Sequence, residues 1–138
     1  MKHKNLFLAL ISILVLSFNA EASNKKIKVL FVIPPTAERV LASETRSYIA
    51  RELRALQDVE QIEKDPNLDY FFISIYPISL KLSNGLSAGV AVSYVIEKNS
   101  KMEHNVLVGA PNELKALCEK IIAYFDTYWL ERERKQQK

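Results

Sequence analysis

Two carboxylates four residues apart, in Asp65-Pro66-Asn67-Leu68-Asp69, form the stretch of this chain closest to a ligating or reactive pattern. Oxygen-bearing side chains at alternate positions match the first half of a calcium loop. The second half departs from it, because Tyr70 stands where the loop needs glycine and Tyr76 where it needs a bidentate glutamate. The stretch reads as a polar turn that opens a strand. An alternative function uses the same groups: a hydrolase acting on cell-wall material, with Asp65 and Asp69 as its carboxylates. A nucleophile and base could be drawn only from Cys118, the single cysteine, and His104, the only histidine besides His3. Cys118 falls on the apolar stripe of a helix and reads as a buried thiol, and His104 as a strand-edge residue near solvent. No Gly-x-Ser-x-Gly elbow, His-Glu-x-x-His pair or glycine-rich phosphate loop occurs. No catalytic residue, metal ligand or cofactor is assigned.

The N-terminus indicates where the chain goes. Lys2 and Lys4 precede an apolar run from Leu6 to Phe18, and Ala20-Glu21-Ala22 places small residues where a signal peptidase reads them. The run is shorter than the roughly 20 residues a membrane span needs. Residues 1–22 are therefore expected to be a signal peptide, and the chain to be periplasmic or secreted, without stable membrane insertion. No cysteine follows the run to take a lipid. Residues 23–130 form one expected domain and 131–138 a charged C-terminal tail, read as a solvated helix end. Loss of Lys2, Lys4 and Glu21 leaves 17 basic against 15 acidic side chains, net +2. That balance argues against nucleic acid, whose binders concentrate basic charge on one face. With a single cysteine no internal disulfide can form, so stability must come from packing.

The order of elements follows from periodicity. Ile27 to Ile33 is rich in β-branched residues and stops at Pro34-Pro35. Thr36 is placed to cap a helix with Leu41, Tyr48, Ile49, Leu53 and Leu56 on its apolar side, ending near Gln57. Arg39, Arg46 and Arg54 lie within about 80° on that helix, a basic stripe diluted by Glu38, Glu44 and Glu52 and read as a solvated face. Val59 to Asp69, acidic and holding Pro66, reads as a short extended piece or turn. Two strands, Asp69 to Leu82 and Leu86 to Lys98, flank Asn84-Gly85, a pair suited to a two-residue hairpin turn. A shorter strand, His104 to Gly109, leads to a helix capped by Asn112, with a stripe of Leu114, Leu117, Cys118, Ile121, Ile122, Phe125, Tyr128 and Trp129. The fold class is α/β (α+β): a two-layer sandwich of about four strands with two helices on one face, in the order β-α-β-β-β-α.

Pairing the hairpin through Asn84-Gly85 sets Tyr76 opposite Ser93, Ile75 opposite Tyr94 and Ser74 opposite Val95. One face then collects Phe71, Ile73, Ile75, Val92, Tyr94 and Ile96, and belongs under the helices. The other collects Tyr70, Phe72, Ser74, Tyr76, Ala91, Ser93 and Val95, joined by Leu30 and Val32 if the first strand keeps the same parity. An exposed apolar patch of that kind marks a partner surface. Tyr70, Phe72, Tyr76 and Val95 are the candidate binding residues.

Leu53-Arg54-Ala55-Leu56-Gln57-Asp58-Val59-Glu60, Leu68-Asp69-Tyr70 opening a strand and Gly89 in the returning strand together resemble the α/β domains of TolB N-terminal and curli-secretion-lipoprotein type. The resemblance spans Ile27 to Lys98 and implies an envelope location. Val108-Gly109-Ala110-Pro111 into Asn112-Glu113-Leu114-Lys115-Ala116-Leu117-Cys118-Glu119 is similar to small exported bacterial proteins of unassigned function. Neither likeness carries a functional residue across. The resulting expectation is a small exported, non-enzymatic domain acting by protein–protein binding or self-association in the cell envelope, its partner an envelope protein or a second copy.

Overall fold

A computed structural model of the protein describes residues 25–64, 67 and 69–137. The expected signal segment 1–22 lies outside the described residues, as does Asp65. The elements are β1 (Ile27–Val32), α1 (Arg39–Ala55), β2 (Val59–Ile62), β3 (Phe71–Lys81), β4 (Ser87–Lys98), β5 (Lys101–Gly109) and α2 (Leu114–Phe125). A π-helical turn (Asp126–Leu130) carries α2 into a final short helix, α3 (Glu131–Gln136). No helix among the described residues is long and apolar enough to cross a membrane.

The strands form one mixed sheet in the order β2-β1-β3-β4-β5. β1 runs parallel to both β2 and β3, and β3, β4 and β5 are successively antiparallel. The two-layer α/β arrangement is as expected, with five strands instead of about four. The added strand is β2, read from the sequence as a turn. Only Val59 of its four residues is buried, so local periodicity is too weak to mark it, and its alignment comes from pairing Ile27 with Val59 and Leu30 with Ile62. β5 also begins three residues earlier than expected, at Lys101. Asn99 and Ser100 both take positive φ, 50° and 65°, and close a two-residue turn that a serine seldom signals.

All six hairpin residues assigned to the helix side are buried, together with Val29 and Phe31 of β1. Against them pack Ile49 and Leu53 of α1, and Leu117, Cys118, Ile121, Ile122 and Phe125 of α2. The β3–β4 register is the expected one, but the turn that sets it differs. Ser83, Asn84 and Gly85 form a three-residue loop in which the Leu82 amide donates to the Leu86 carbonyl (2.8 Å) and the Gly85 amide to the Leu82 carbonyl (2.9 Å). Gly85 sits at φ +83°, a conformation glycine adopts without strain. That loop alone would slip the pairing by one residue. A bulge between Lys81↔Ser87 and Leu80↔Gly89 takes up Ala88 as the extra residue and restores Tyr76↔Ser93. Gly89 itself admits no side chain, because a Cβ there would lie 2.7 Å from the Gly109 carbonyl oxygen.

Helix ends also differ from the expected caps. Thr36 does not cap α1; Glu38 holds the N-cap position without a side-chain bond, and the Pro34 carbonyl accepts the Ala37 amide (3.1 Å) in a preceding turn. At α2 Glu113, not Asn112, holds the N-cap position without a side-chain bond to the helix, and its carboxylate accepts the Ala110 amide of the preceding turn at 2.8 Å. The π turn then moves the apolar stripe. Tyr128, expected inside, is 51% exposed, whereas Leu130 is fully buried. An extra residue within a turn rotates everything beyond it, so inward positions after Phe125 become Trp129 and Leu130.

The charged segment that follows is tied to the domain. Arg134 pairs with Asp58 (2.9 Å from Nη2 to Oδ1) and with Asp126 (2.8 Å), and Glu133 pairs with Lys98 (2.9 Å). Lys98 also stands 4.5 Å from the ring centre of Phe71. A helix end expected to fray is thus held by contacts made across the sequence.

Candidate interaction surface

Because both long helices lie on one side of the sheet, the other side is lined by the alternate residues of every strand. The strand registers arrange them in rows across the sheet. Ile62, Leu30, Phe72, Glu97 and Met102 form one row; Val32, Ser74, Val95 and His104 the next; then Tyr76, Ser93 and Val106; then Ile78, Ala91 and Val108. Leu30 and Val32 keep the expected parity and border Phe72 and Ser74.

The four candidate residues all fall on or beside this face and all are half-buried. Tyr70, in the bend that precedes β3, and Phe72 line an open depression of about 480 Å³ with Glu97, Lys98 and Asn99. Val95 lies one row away, opposite Ser74. Tyr76 is four residues further along β3 from Phe72, roughly 13 Å at strand rise. Its hydroxyl donates to the Thr36 carbonyl (3.1 Å), which ties that end of the face to the loop leaving β1. Phe72, Tyr70 and Val95 therefore cluster, and Tyr76 belongs to the opposite end.

Exposed apolar side chains also line the β5 end of the same face. Met102 is 67% exposed, Val108 64% and Val106 49%, and Ile78 of β3 lies in the Val108 row across Ala91. The sequence reading passed over them. Their signal is the alternation Met102-x-His104-x-Val106-x-Val108; the expected strand His104 to Gly109 already held the last three, and Met102 joins them because β5 begins at Lys101.

Reactive chemistry finds little footing among the described residues. Cys118 is buried under the helices, and desolvation with Glu119 and Glu52 nearby pushes its thiol up to about 12. His104 is on the other face of the sheet, where its Nε2 and the Ser93 hydroxyl share a hydrogen bond of 2.9 Å. The sheet separates the two, so they form no nucleophile–base pair. Asp69 is engaged by Lys25 (3.2 Å) and Lys98 (3.5 Å), which hold its carboxyl below the usual range, the Lys25 hydrogen bond foremost. No group of three or more His, Cys, Asp or Glu side chains among the described residues is placed to hold a metal. The arginines of α1 diverge in role: the Arg46 guanidinium stands 5.9 Å from the ring centre of Phe31, and Arg39 and Arg46 line an open cleft beside Pro34 and Pro35.

No family model and no curated protein matches this chain. The TolB- and curli-type resemblance read from short motifs thus has no family model behind it. Among solved structures the chain is similar to a PelC dodecamer from Paraburkholderia phytofirmans, with 16% identity and a TM-score of 0.41, over 75% of this chain and 86% of that one. A single-substitution form of the same dodecamer gives 17% identity and a TM-score of 0.43, over 75% of this chain and 84% of that one.

Proposed function

We propose that this chain is a small exported, non-enzymatic domain that works by protein–protein association in the cell envelope, through the sheet face its helices leave open. One observation supports the reading above others: half-buried Leu30, Val32, Phe72 and Val95 and exposed Ile78, Met102, Val106 and Val108 share the sheet face away from both long helices, with Ser74, Ser93, Glu97 and His104 among them. A face of this kind on a soluble domain is kept from water by a partner. The N-terminal run from Leu6 to Phe18 supports export, and the near-neutral charge favours protein over nucleic acid. Asp69, the described member of the carboxylate pair, is bound in ion pairs, which leaves the hydrolase alternative without a specific observation in its favour.

The test exchanges Phe72 and Tyr76 together for Ser in the exported chain, followed by sedimentation velocity and by pull-down from envelope extracts. The fold should persist, since neither ring enters the core, and capture of envelope proteins through this face should be lost. Unchanged sedimentation together with an unchanged set of captured proteins would sink the proposal.

A further inference from the structure

The two edges of the sheet are built differently. β2 is four residues long and exposes Glu60 and Gln61, with Glu63 and Lys64 just beyond, the short and charged form that discourages pairing. β5 is nine residues long and contains no proline. Its turn Asn99-Ser100 makes Lys98 and Lys101 a hydrogen-bonded pair, and antiparallel ladders alternate bonded with non-bonded pairs. Odd-numbered residues of β5 therefore bond to β4, while the amides and carbonyls of Met102, His104, Val106 and Val108 point away from the sheet. The Val106 amide instead donates to the side-chain Oδ1 of its neighbour Asn105 (3.2 Å).

We propose that β5 pairs antiparallel with β5 of a second copy about a two-fold axis at Asn105, joining two five-stranded sheets into one. The inference rests on the reading of this domain as self-associating and names the partner and the contact. Self-complementarity fixes the register. Asn105 is the central residue of Lys101–Gly109, so this axis pairs the whole strand, about 30 Å long at 3.3 Å per residue. On the open face it sets Met102 against Val108 of the second copy and His104 against Val106. These residues carry the exposed apolar surface, and they are also the ones whose backbone groups face outward. Each apolar pair is thus also a hydrogen-bonded pair, and the Asn105 amides meet on the axis once Val106 exchanges its side-chain acceptor for a strand carbonyl. The helix side adds to the contact. Tyr124 donates to Glu103 on β5, and the half-exposed Tyr128 lies against Tyr124 with ring centres 4.5 Å apart, so the helix layer brings two rings to the same edge.

Asn105→Cys tests the register directly. The two copies of residue 105 would form a non-hydrogen-bonded pair with Cα atoms roughly 4.5 Å apart, within disulfide range. Buried Cys118 would take no part. Exported to an oxidising periplasm, this variant should run as a covalent dimer, whereas Glu103→Cys, whose two copies would stand about 13 Å apart, should not. Val106→Pro removes an amide that bonds no strand within the chain; it should keep the circular dichroism of the parent and weaken dimerisation at least roughly tenfold. Met102→Lys should weaken it likewise, and adding Val108→Glu should restore it, since those two positions face each other only between copies. A parent chain that stays monomeric in sedimentation equilibrium, or an Asn105→Cys variant that forms no more disulfide than Glu103→Cys, overturns the proposal. Phe72 and Tyr76 are off this contact. Cross-linking that survives their exchange while captured partners are lost separates the edge from the face, and the opposite pattern condemns the edge alone.

Discussion

The rings of Phe71 and Phe125 meet edge to face, with centres 5.2 Å apart and planes at 79°. Trp129 adds a second perpendicular contact to Phe71 at 6.0 Å, and Lys98 closes the remaining side. One side chain at the start of β3 thus joins the sheet to α2 and to the π turn beyond it. Phe71→Ala should destabilise the fold by about 3–5 kcal/mol, because it removes a fully buried ring at a site whose neighbours are held from three directions. Urea denaturation followed by tryptophan fluorescence measures it, with Trp129 as a reporter beside the cavity.

Thr45 is fully buried on the inner side of α1, and its hydroxyl has no hydrogen-bond partner. Threonine and valine have nearly the same shape. Thr45→Val should therefore stabilise the protein by about 1 kcal/mol, the cost of keeping an unpaired hydroxyl out of water. Thermal unfolding checks the sign, and a lowered midpoint would show that the hydroxyl has a partner in solution.

Arg134 holds the Asp58 carboxyl below its ordinary value of 3.8, mainly by hydrogen bonding. The unfolded chain therefore takes up this proton before the folded one does. Stability from the pair is fully present above pH 3.8 and is lost as pH falls through the lower folded value. Asp58→Asn should flatten the acid limb of a stability profile, with a modest effect at neutral pH because both groups are partly exposed.

The Tyr124 hydroxyl donates to the Glu103 carboxylate, and this bond, ahead of desolvation, pushes the phenol up to about 12. The folded value exceeds the unfolded one of 10.0, so the contribution is whole below pH 10 and declines as pH rises towards 12. Glu103→Gln should lower the midpoint of tyrosinate absorbance for this residue and remove that part of the alkaline stability loss. Tyr124→Phe should abolish the same titration step, which assigns it.

Sequence alone determined the layer structure and the sorting of the central hairpin. Side chains alternate along a strand with period two, so Phe71, Ile73 and Ile75 had to face one way and Phe72, Ser74 and Tyr76 the other, whatever surrounded them. The stripe from Leu114 to Phe125 likewise needed no knowledge of what it packs against. Tertiary structure decided the features that depend on distant partners or on a change of period. β2 is a strand because β1 lies beside it, and its own residues hardly alternate. Leu130 is buried and Tyr128 exposed because a π turn resets the helix phase after Phe125. The hairpin register stands because Ala88 bulges out to offset a three-residue loop, two departures that cancel. Exposed Met102 joined Val106 and Val108 on β5 only when the Asn99-Ser100 turn fixed where that strand begins, since positive φ at a serine leaves almost no trace in sequence.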